Sequence, residues 1–402
     1  MNKLKKIYCR IYQQIFRIIL PLMPYRQPKI LNSMEQIPTA IQAGNCHNCL
    51  LVTGKTSVKL GLTDKLAQIL KEKDIACVIY DQTVPNPTTA NVIQAKDLYQ
   101  QKKCDCIIGL GGGSAMDCAK AVGAMVVQPH KTLNRMQGIL KVHKSLPLLI
   151  AIPTTAGTGS ETTVASVIVD SDTRHKYAIN DFCLIPQYAV LDPKMTLSLP
   201  PKLTSTTGLD ALTHAVEAYI GQSTTAYTRK EAESAVKLIF ENLPKAYQNG
   251  DDIAARKNLL LASYQAGCAF TRSYVGYVHA IAHSLGGKYD ISHGLANAVI
   301  LPYVLEAYGN TCQKQLAQLA VICQMCPQNT PQKQAQQIFL QNLNNLNAQL
   351  NIPHKIKELK AEDIPYLARQ ADKEANPLYP VPLLLDNKEL EKIYHRLLEK
   401  EC

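Results

Sequence analysis

The chain of 402 residues has no tryptophan and only 5 phenylalanines. It is therefore poorly equipped to stack nucleic-acid bases on a row of aromatic rings. Acid is missing from its start: Lys3, Lys5, Lys6, Arg10, Arg17, Arg26 and Lys29 all precede the first carboxylate, Glu35. That arm carries most of the net charge of +11, and the body is nearly balanced, so a global basic surface for nucleic acid is unsupported. No small-residue cleavage site follows the first helical stretch, so a secretory signal is not expected. No Gly/Ser-rich linker separates one part of the chain from another.

Cysteine, by contrast, is plentiful at 13. The number is odd and the residues sit in apolar stretches such as "IACVIY" and "AGCAF". A chain this long buries a large core without a disulfide framework, so reduced thiols in the cytoplasm are expected. "CHNC" (Cys46 to Cys49) and "CQMC" (Cys323 to Cys326) have zinc-like spacing. Cys49 runs straight into a strand, however, and "QMCPQ" reads as a helix end, so a structural zinc site built from the two pairs is not expected.

Along the chain, "KKIYCRIYQQIFRIILPLMPYRQP" places Ile7, Ile11, Ile15, Ile18, Ile19 and Leu22 on one side of a helix. Basic and amide residues fill the other side, and Pro21 and Pro24 end it. Gln13, Gln14 and Arg17 interrupt it, so it does not span a bilayer. It reads either as a peripheral helix on anionic lipid, the preferred reading, or as a helix docked on the protein. From about Leu50 short apolar runs ("CLLVTG", "IACVIYD", "DCIIGLGGGS", "LPLLIAIPTT") alternate with helical stretches, which predicts an α/β domain with a parallel sheet covered on both faces. After about Thr204 only helical periodicity remains. The expected organisation is an N-terminal arm over 1–28, an α/β dinucleotide-binding domain over 29–203, and an all-helical domain over 204–402. The boundary falls near "LPPKL".

Two loops and one set of polar residues carry the chemistry. "GLGGGSAMDCAK" follows a strand and opens a helix. Gly111, Gly112 and Gly113 let backbone approach a diphosphate, Ser114 adds a hydroxyl, and the helix dipole faces the anion. "IPTTAGTGSET" follows the next strand, and Thr154, Thr155 and Thr158 suit a nicotinamide ribose and pyrophosphate. Read alone, either is a tight turn or a surface loop; together they favour a dinucleotide. Downstream, "TTGLDALTHAVEAY" puts Asp210, His214 and Glu217 on one face of an otherwise apolar helix. "GYVHAIAHSLGGKYDISHG" adds His279, His283 and His293. If these helices pack together, Asp210, His214, His279 and His293 offer one oxygen and three nitrogens, a set for iron(II) or zinc and not for calcium or magnesium. Spacing alone leaves open a buried Asp–His hydrogen bond without metal.

The motifs "GGGSAMD", "IPTTAGTGSE", "GLDALTHAVEAY" and "HAIAHSLGGKYDISHG", in this order, resemble those of the iron-containing (group III) alcohol dehydrogenases, relatives of glycerol dehydrogenase and dehydroquinate synthase. The resemblance runs from about Cys49 to the C-terminus. It implies a Rossmann-like α/β domain followed by an all-α domain, the dehydroquinate synthase-like architecture. It also implies a metal-dependent exchange of hydride between a primary alcohol, or its aldehyde, and NAD(P). Asp210, His214, His279 and His293 match the metal ligands, usually iron(II), with zinc an alternative. Gly112, Gly113, Ser114 and Asp117 match the pyrophosphate loop, and Asn86, Thr154, Thr155, Thr158 and Lys176 match further cofactor contacts. His283 matches a residue of a proton relay beside the nicotinamide, and Ala165, Phe270 and Val275 match the substrate pocket. Glu217, on the ligand face, is expected to steady a ligand. A homodimer is expected.

Two positions depart from the pattern. Ser284 stands where many members have proline, which is expected to alter the helix after His283. Gly54 stands where NAD-preferring members carry an aspartate that bonds the ribose and repels a 2′-phosphate. With Lys55, Thr56, Ser57 and Lys59 as donors, NADP(H) is expected to be preferred and NAD(H) to remain possible. Three other readings stand beside this one: a dehydroquinate synthase-like lyase, a glycerol dehydrogenase-like enzyme, and a membrane-associated nucleotide-binding protein without chemistry. The absence of Lys and Arg from "GLANAVILPYV" speaks against the first, the full ligand set against the other two.

Overall fold

Leu50 and Val52 are buried against one layer of helices, and their neighbours Cys49 and Leu51 against another. That split follows from the two-residue period of a strand, and it is why the run is apolar throughout and not alternating. The computed structural model describes Met1 and residues 3–399. The described chain divides into two units, Pro24–Leu199 and Met1–Met23 with Pro200–Cys402. The break thus falls four residues before the expected 203/204 boundary. The N-terminal helix is no separate arm: it groups with the helical unit.

The first unit holds nine strands: β1 Lys29–Leu31, β2 Asn48–Val52, β3 Ala76–Tyr80, β4 Cys106–Gly111, β5 Gly138–Ile139, β6 Leu148–Pro153, β7 Ala165–Val169, β8 Lys176–Asn180 and β9 Tyr188–Val190. Six form a sheet in the order β1-β9-β6-β4-β2-β3, and every pairing in it is parallel. From β2 the chain turns outward to β3, then returns to β4 and continues in the opposite direction. The crevice between β2 and β4 is therefore the point where strand order reverses, the place where open parallel sheets bind ligands at their C-terminal edge. Gly54 follows β2 there, and the glycine loop follows β4. A second sheet, β5-β8-β7, pairs β7 with β8 antiparallel. Sequence periodicity had not separated these two short strands from the loops around them.

The second unit is helical. Among the described residues its sole β-pairing is an isolated bridge, Ile356 with Leu398. Helix Pro201–Ile220 is buried on every side from Thr204 onward apart from Thr207, with helices Ala226–Gln248, Ile253–Ser273 and His293–Tyr308 packed around it. This explains its composition, apolar wherever it is not carrying a ligand. Helix Tyr277–Tyr289 runs through Ser284 without a break. The expected effect of losing proline there takes a different form: the Ser284 hydroxyl donates to the Ile281 carbonyl (2.8 Å) and bonds the Tyr394 hydroxyl (2.5 Å), tying this helix to Asn387–Leu397.

Candidate functional site

Three helices of the second unit converge through their polar residues. Asp210 and His214 come from one turn of Pro201–Ile220, His279 from Tyr277–Tyr289, and His293 is the first residue of His293–Tyr308. One ligand atom of each lies within 4.8 Å of those of the others. Asp210, His214 and His279 are buried, while the His293 side chain keeps 40% of its exposure, so the cluster is closed behind and open on one side. Burial, followed by the imidazoles of His214, His293 and His283, holds His279 well below the ordinary histidine range. A neutral imidazole is the form that donates to a metal.

Glu217 orients that imidazole. Its Oε2 accepts from His279 Nδ1 at 2.6 Å and from the Gly276 N–H at 2.8 Å, and its Oε1 accepts from the Val278 N–H at 2.8 Å. One carboxylate therefore caps the start of helix Tyr277–Tyr289 and fixes the tautomer of the histidine on its first turn, leaving Nε2 as the donor. Burial pushes the Glu217 carboxyl up to about 8 while the Gly276 and Val278 N–H groups pull it down. A Cβ at Gly276 would lie 2.7 Å from Glu217 Oε1, so this approach requires glycine.

Asn297, one helical turn after His293, was not identified from the sequence. Its Nδ2 lies 2.7 Å from Asp210 Oδ1, 3.1 Å from His293 Nε2 and 3.3 Å from His279 Nε2. A single amide nitrogen thus faces three of the four ligand atoms, while the buried Asn297 Oδ1 has no partner. Two imidazoles and the carboxylate gather around this one electropositive group, and with His214 the four offer a donor set compatible with iron(II) or zinc. The i, i+4 spacing from His293 was the available signal.

Gly294 permits the approach of the third helix. A Cβ there would lie 2.4 Å from the Thr206 carbonyl oxygen and 3.5 Å from the Asp210 Cβ. Gly294→Ala should push the two helices apart, lower stability by about 1–3 kcal/mol and reduce retained metal. Thermal unfolding and elemental analysis check this against Gly287→Ala, where an added Cβ meets nothing within 4 Å. Equal behaviour of the two variants would contradict the packing argument.

Beside the cluster, His283 Nδ1 bonds Glu374 Oε1 at 2.7 Å, and the Tyr379 hydroxyl donates to the same oxygen at 2.7 Å. Burial raises the Glu374 carboxyl, but His283 and the Tyr379 hydrogen bond outweigh it and hold it below the ordinary range. The Phe270 ring stacks on His214, centroids 4.1 Å apart. Val275 lies half-buried between helices Ile253–Ser273 and Tyr277–Tyr289. Ala165 belongs to the other unit, as the first residue of β7.

In the first unit the glycine loop leaves β4 at Gly111 (φ +151°), and helix Gly113–Val127 starts with no side-chain cap on its N-terminus. A Cβ on Gly113 would come within 3.2 Å of Thr158, and one on Gly112 within 3.6 Å of Thr155. The two loops thus lie against each other, with backbone and hydroxyls where an anion would rest. Asn86 (φ +54°) donates its N–H to Ser114 Oγ at 3.3 Å and accepts from Lys176 Nζ at 2.7 Å, while the Thr154 N–H is committed to the Gly111 carbonyl. Asp117 is used differently from the rest. Its oxygens accept from Ser160 Oγ (2.9 Å) and the Val167 N–H (3.2 Å), so it ties the second loop to the first helix. Lys120, also unidentified from the sequence, is wholly buried and donates to Ser160, Thr163 and Ala165 oxygens at 2.6–3.2 Å.

A second group with possible ligand atoms, Cys46, Asp105 and Cys106, lies at the opposite end of the strands. It unites "CHNC" with "CDC" and not with "CQMC". Asp105 is already committed to the His47 and Asn48 N–H groups at 2.7 and 3.0 Å, and burial pushes the Cys46 thiol up to about 11. This group ties off the start of β2.

Residues 30–193 match the iron-containing alcohol dehydrogenase family, and residues 204–398 match its C-terminal domain. The chain is 36% identical to a 1,3-propanediol dehydrogenase of Citrobacter freundii, over 86% of this chain and 90% of the relative. It is 35% identical to an NAD-dependent methanol dehydrogenase of Bacillus methanolicus, over 84% and 89%. A crystal structure of 1,3-propanediol oxidoreductase superposes with a TM-score of 0.89 at 33% identity, covering 93% of this chain and 99% of that one.

Proposed function

Because the chain belongs to the iron-containing alcohol dehydrogenase family, we propose that it exchanges hydride between a short primary alcohol or its aldehyde and NADP(H), with a divalent iron held by Asp210, His214, His279 and His293. It is an alcohol/aldehyde oxidoreductase, which sets aside the lyase and the nucleotide-binding protein without chemistry. The observation that carries the reading is the meeting of three imidazoles and one carboxylate from three helices. The same donors suit zinc.

The bound cation supplies Lewis acidity, favouring the ionised alcohol oxygen in one direction and a polarised carbonyl in the other. The chain's residues do the rest. Glu217 holds His279 in the donating tautomer. The ionised Glu374 takes the Nδ1–H of His283, so that Nε2 of His283 receives the alcohol proton. Phe270, stacked on His214, gives the substrate carbon an apolar wall. In the nucleotide unit, the N–H groups at the start of helix Gly113–Val127 and the hydroxyls of Ser114, Thr155 and Thr158 hold the pyrophosphate. Asn86 and Lys176, already paired, contact the cofactor, Thr154 shapes the loop, and Asp117 acts from behind it.

The cofactor preference rests on Gly54. A Cβ at this position would lie 2.9 Å from the Thr83 carbonyl oxygen, so the backbone has closed over the place from which a ribose-binding aspartate would reach. Exposed Lys55 and Lys59 follow it. Iron-loaded protein should oxidise NADPH with a short aldehyde such as butanal faster than NADH, followed by nicotinamide absorbance. The double variant Lys55→Ala, Lys59→Ala should raise the NADPH KM about tenfold or more and leave NADH nearly unchanged, since charge-assisted bonds to phosphate are worth ~1.5–3 kcal/mol. Equal losses with both nucleotides would contradict the assignment. No turnover of any short or medium aldehyde would contradict the proposed reaction.

A further inference from the structure

The N-terminal helix Lys3–Ile19 is docked the wrong way round for a globular protein. Its polar side faces the rest of the unit: Arg10 donates to the Val381 and Pro382 carbonyls at 2.7 and 2.9 Å, Gln13 to the Tyr379 carbonyl at 2.6 Å, and Lys5 pairs with Asp372 at 2.8 Å. Cys9 and Gln13 are buried on that face. Its apolar side faces outward. Leu4, Ile7, Ile11, Ile15, Ile18 and Leu22 are 79, 48, 56, 50, 69 and 77% exposed, at successive spacings of three or four residues that make one continuous row. Scattered exposed leucines need no explanation, but a contiguous row rimmed by polar residues marks an interaction surface.

We propose that this row is a lipid-surface anchor: the helix lies in the headgroup layer of an anionic bilayer, its apolar row toward the acyl chains, while Arg10 and Gln13 hold the enzyme to its back. The charge around the row selects the occupant. At 100° per residue Lys3 lies beside the row, Lys6 and Arg17 lie farther round toward the docked side but stay exposed, and no acid occurs before Glu35. Long basic side chains beside an apolar stripe reach anionic headgroups. A second copy of the same helix would instead bring like charges together without the acidic partners that a helical pair uses on its flanks. The helix lies along the surface, since no helix of the described residues is long and apolar enough to cross a membrane. The proposal does not depend on the reaction.

The test is sedimentation of the full chain with vesicles of phosphatidylcholine alone and of phosphatidylcholine with phosphatidylglycerol, with light scattering of the free protein. The parent should bind the anionic vesicles at least about tenfold more tightly than the neutral ones and release at high salt. Ile11→Asp with Ile15→Asp should abolish binding to both vesicles. Lys3→Glu, Lys6→Glu, Arg17→Glu should remove the anionic preference. Both variants should keep the solution rate with aldehyde, because none of these residues takes part in the reaction. Failure of the parent to bind either vesicle would overturn the proposal. So would unimpaired vesicle binding by Ile11→Asp, Ile15→Asp together with a fall in its solution mass, which would assign the row to a second copy of the chain.

Discussion

His279→Ala should purify without a stoichiometric cation and reduce aldehydes at least about a thousandfold more slowly than the parent, because the Lewis acid contributes several kcal/mol and each 1.4 kcal/mol is tenfold in rate. The variant removes one of the four proposed donors and also the group through which Glu217 would reach a bound cation. The fold has reason to survive. The Glu217 carboxylate keeps the Gly276 and Val278 N–H groups, so the cap of helix Tyr277–Tyr289 persists. Two readouts separate loss of metal from loss of fold. Added iron(II) should raise the thermal midpoint of the parent, since a ligand that binds the native state stabilises it, and should leave that of the variant unmoved. The far-ultraviolet dichroism of the two should coincide. Full turnover by the variant would return the cluster to a buried Asp–His pair without metal.

Lys120→Met should strongly destabilise the α/β unit Pro24–Leu199. Lys120 is fully buried in helix Gly113–Val127, and its ammonium gathers oxygens from Ser160, Thr163 and Ala165. Burial pushes it down to about 8 and pushes its neighbour Glu161 up to about 7, opposed by the attraction between them. Five short contacts to oxygen favour the ammonium form. Removing the charge leaves buried carbonyls without a donor and takes a cation from beside Glu161 and Asp117. Breaking such a network costs about 3–5 kcal/mol, roughly 6–20 °C in the midpoint of a unit this size. The loop that carries Thr155 and Thr158 would lose its anchor, so nucleotide affinity should fall as well. Lys144→Met, at an exposed position, is the control, expected within about 0.5 kcal/mol of the parent. A Lys120→Met midpoint equal to that control would contradict the account.

What could be read before the structure and what could not differ for physical reasons. Asp210 and His214 announce themselves because a helix places i and i+4 side by side, and two polar side chains stand out on a helix this apolar. The glycine loop is legible because a strand, three glycines and a helix are local features. Lys120 is not, since its partners lie 40 to 45 residues away and a lysine among alanines looks like solvent-facing charge. Asn297 is hidden in the same way: its contact with Asp210 spans 87 positions. Periodicity showed that the first helix is amphipathic, but period says nothing of which face meets protein. Arg10 and Gln13 decide that through carbonyls more than 360 residues downstream. The β7–β8 pair escaped because five-residue strands with half-buried alternation read much like loops.

The central claim is that Asp210, His214, His279 and His293 hold one catalytic cation. Anaerobically purified, active protein should contain a single divalent ion per chain by elemental analysis. Turnover should fall in step with its removal by a chelator and return in step with its restoration. Active protein without a stoichiometric ion, or activity indifferent to chelation, would contradict the account.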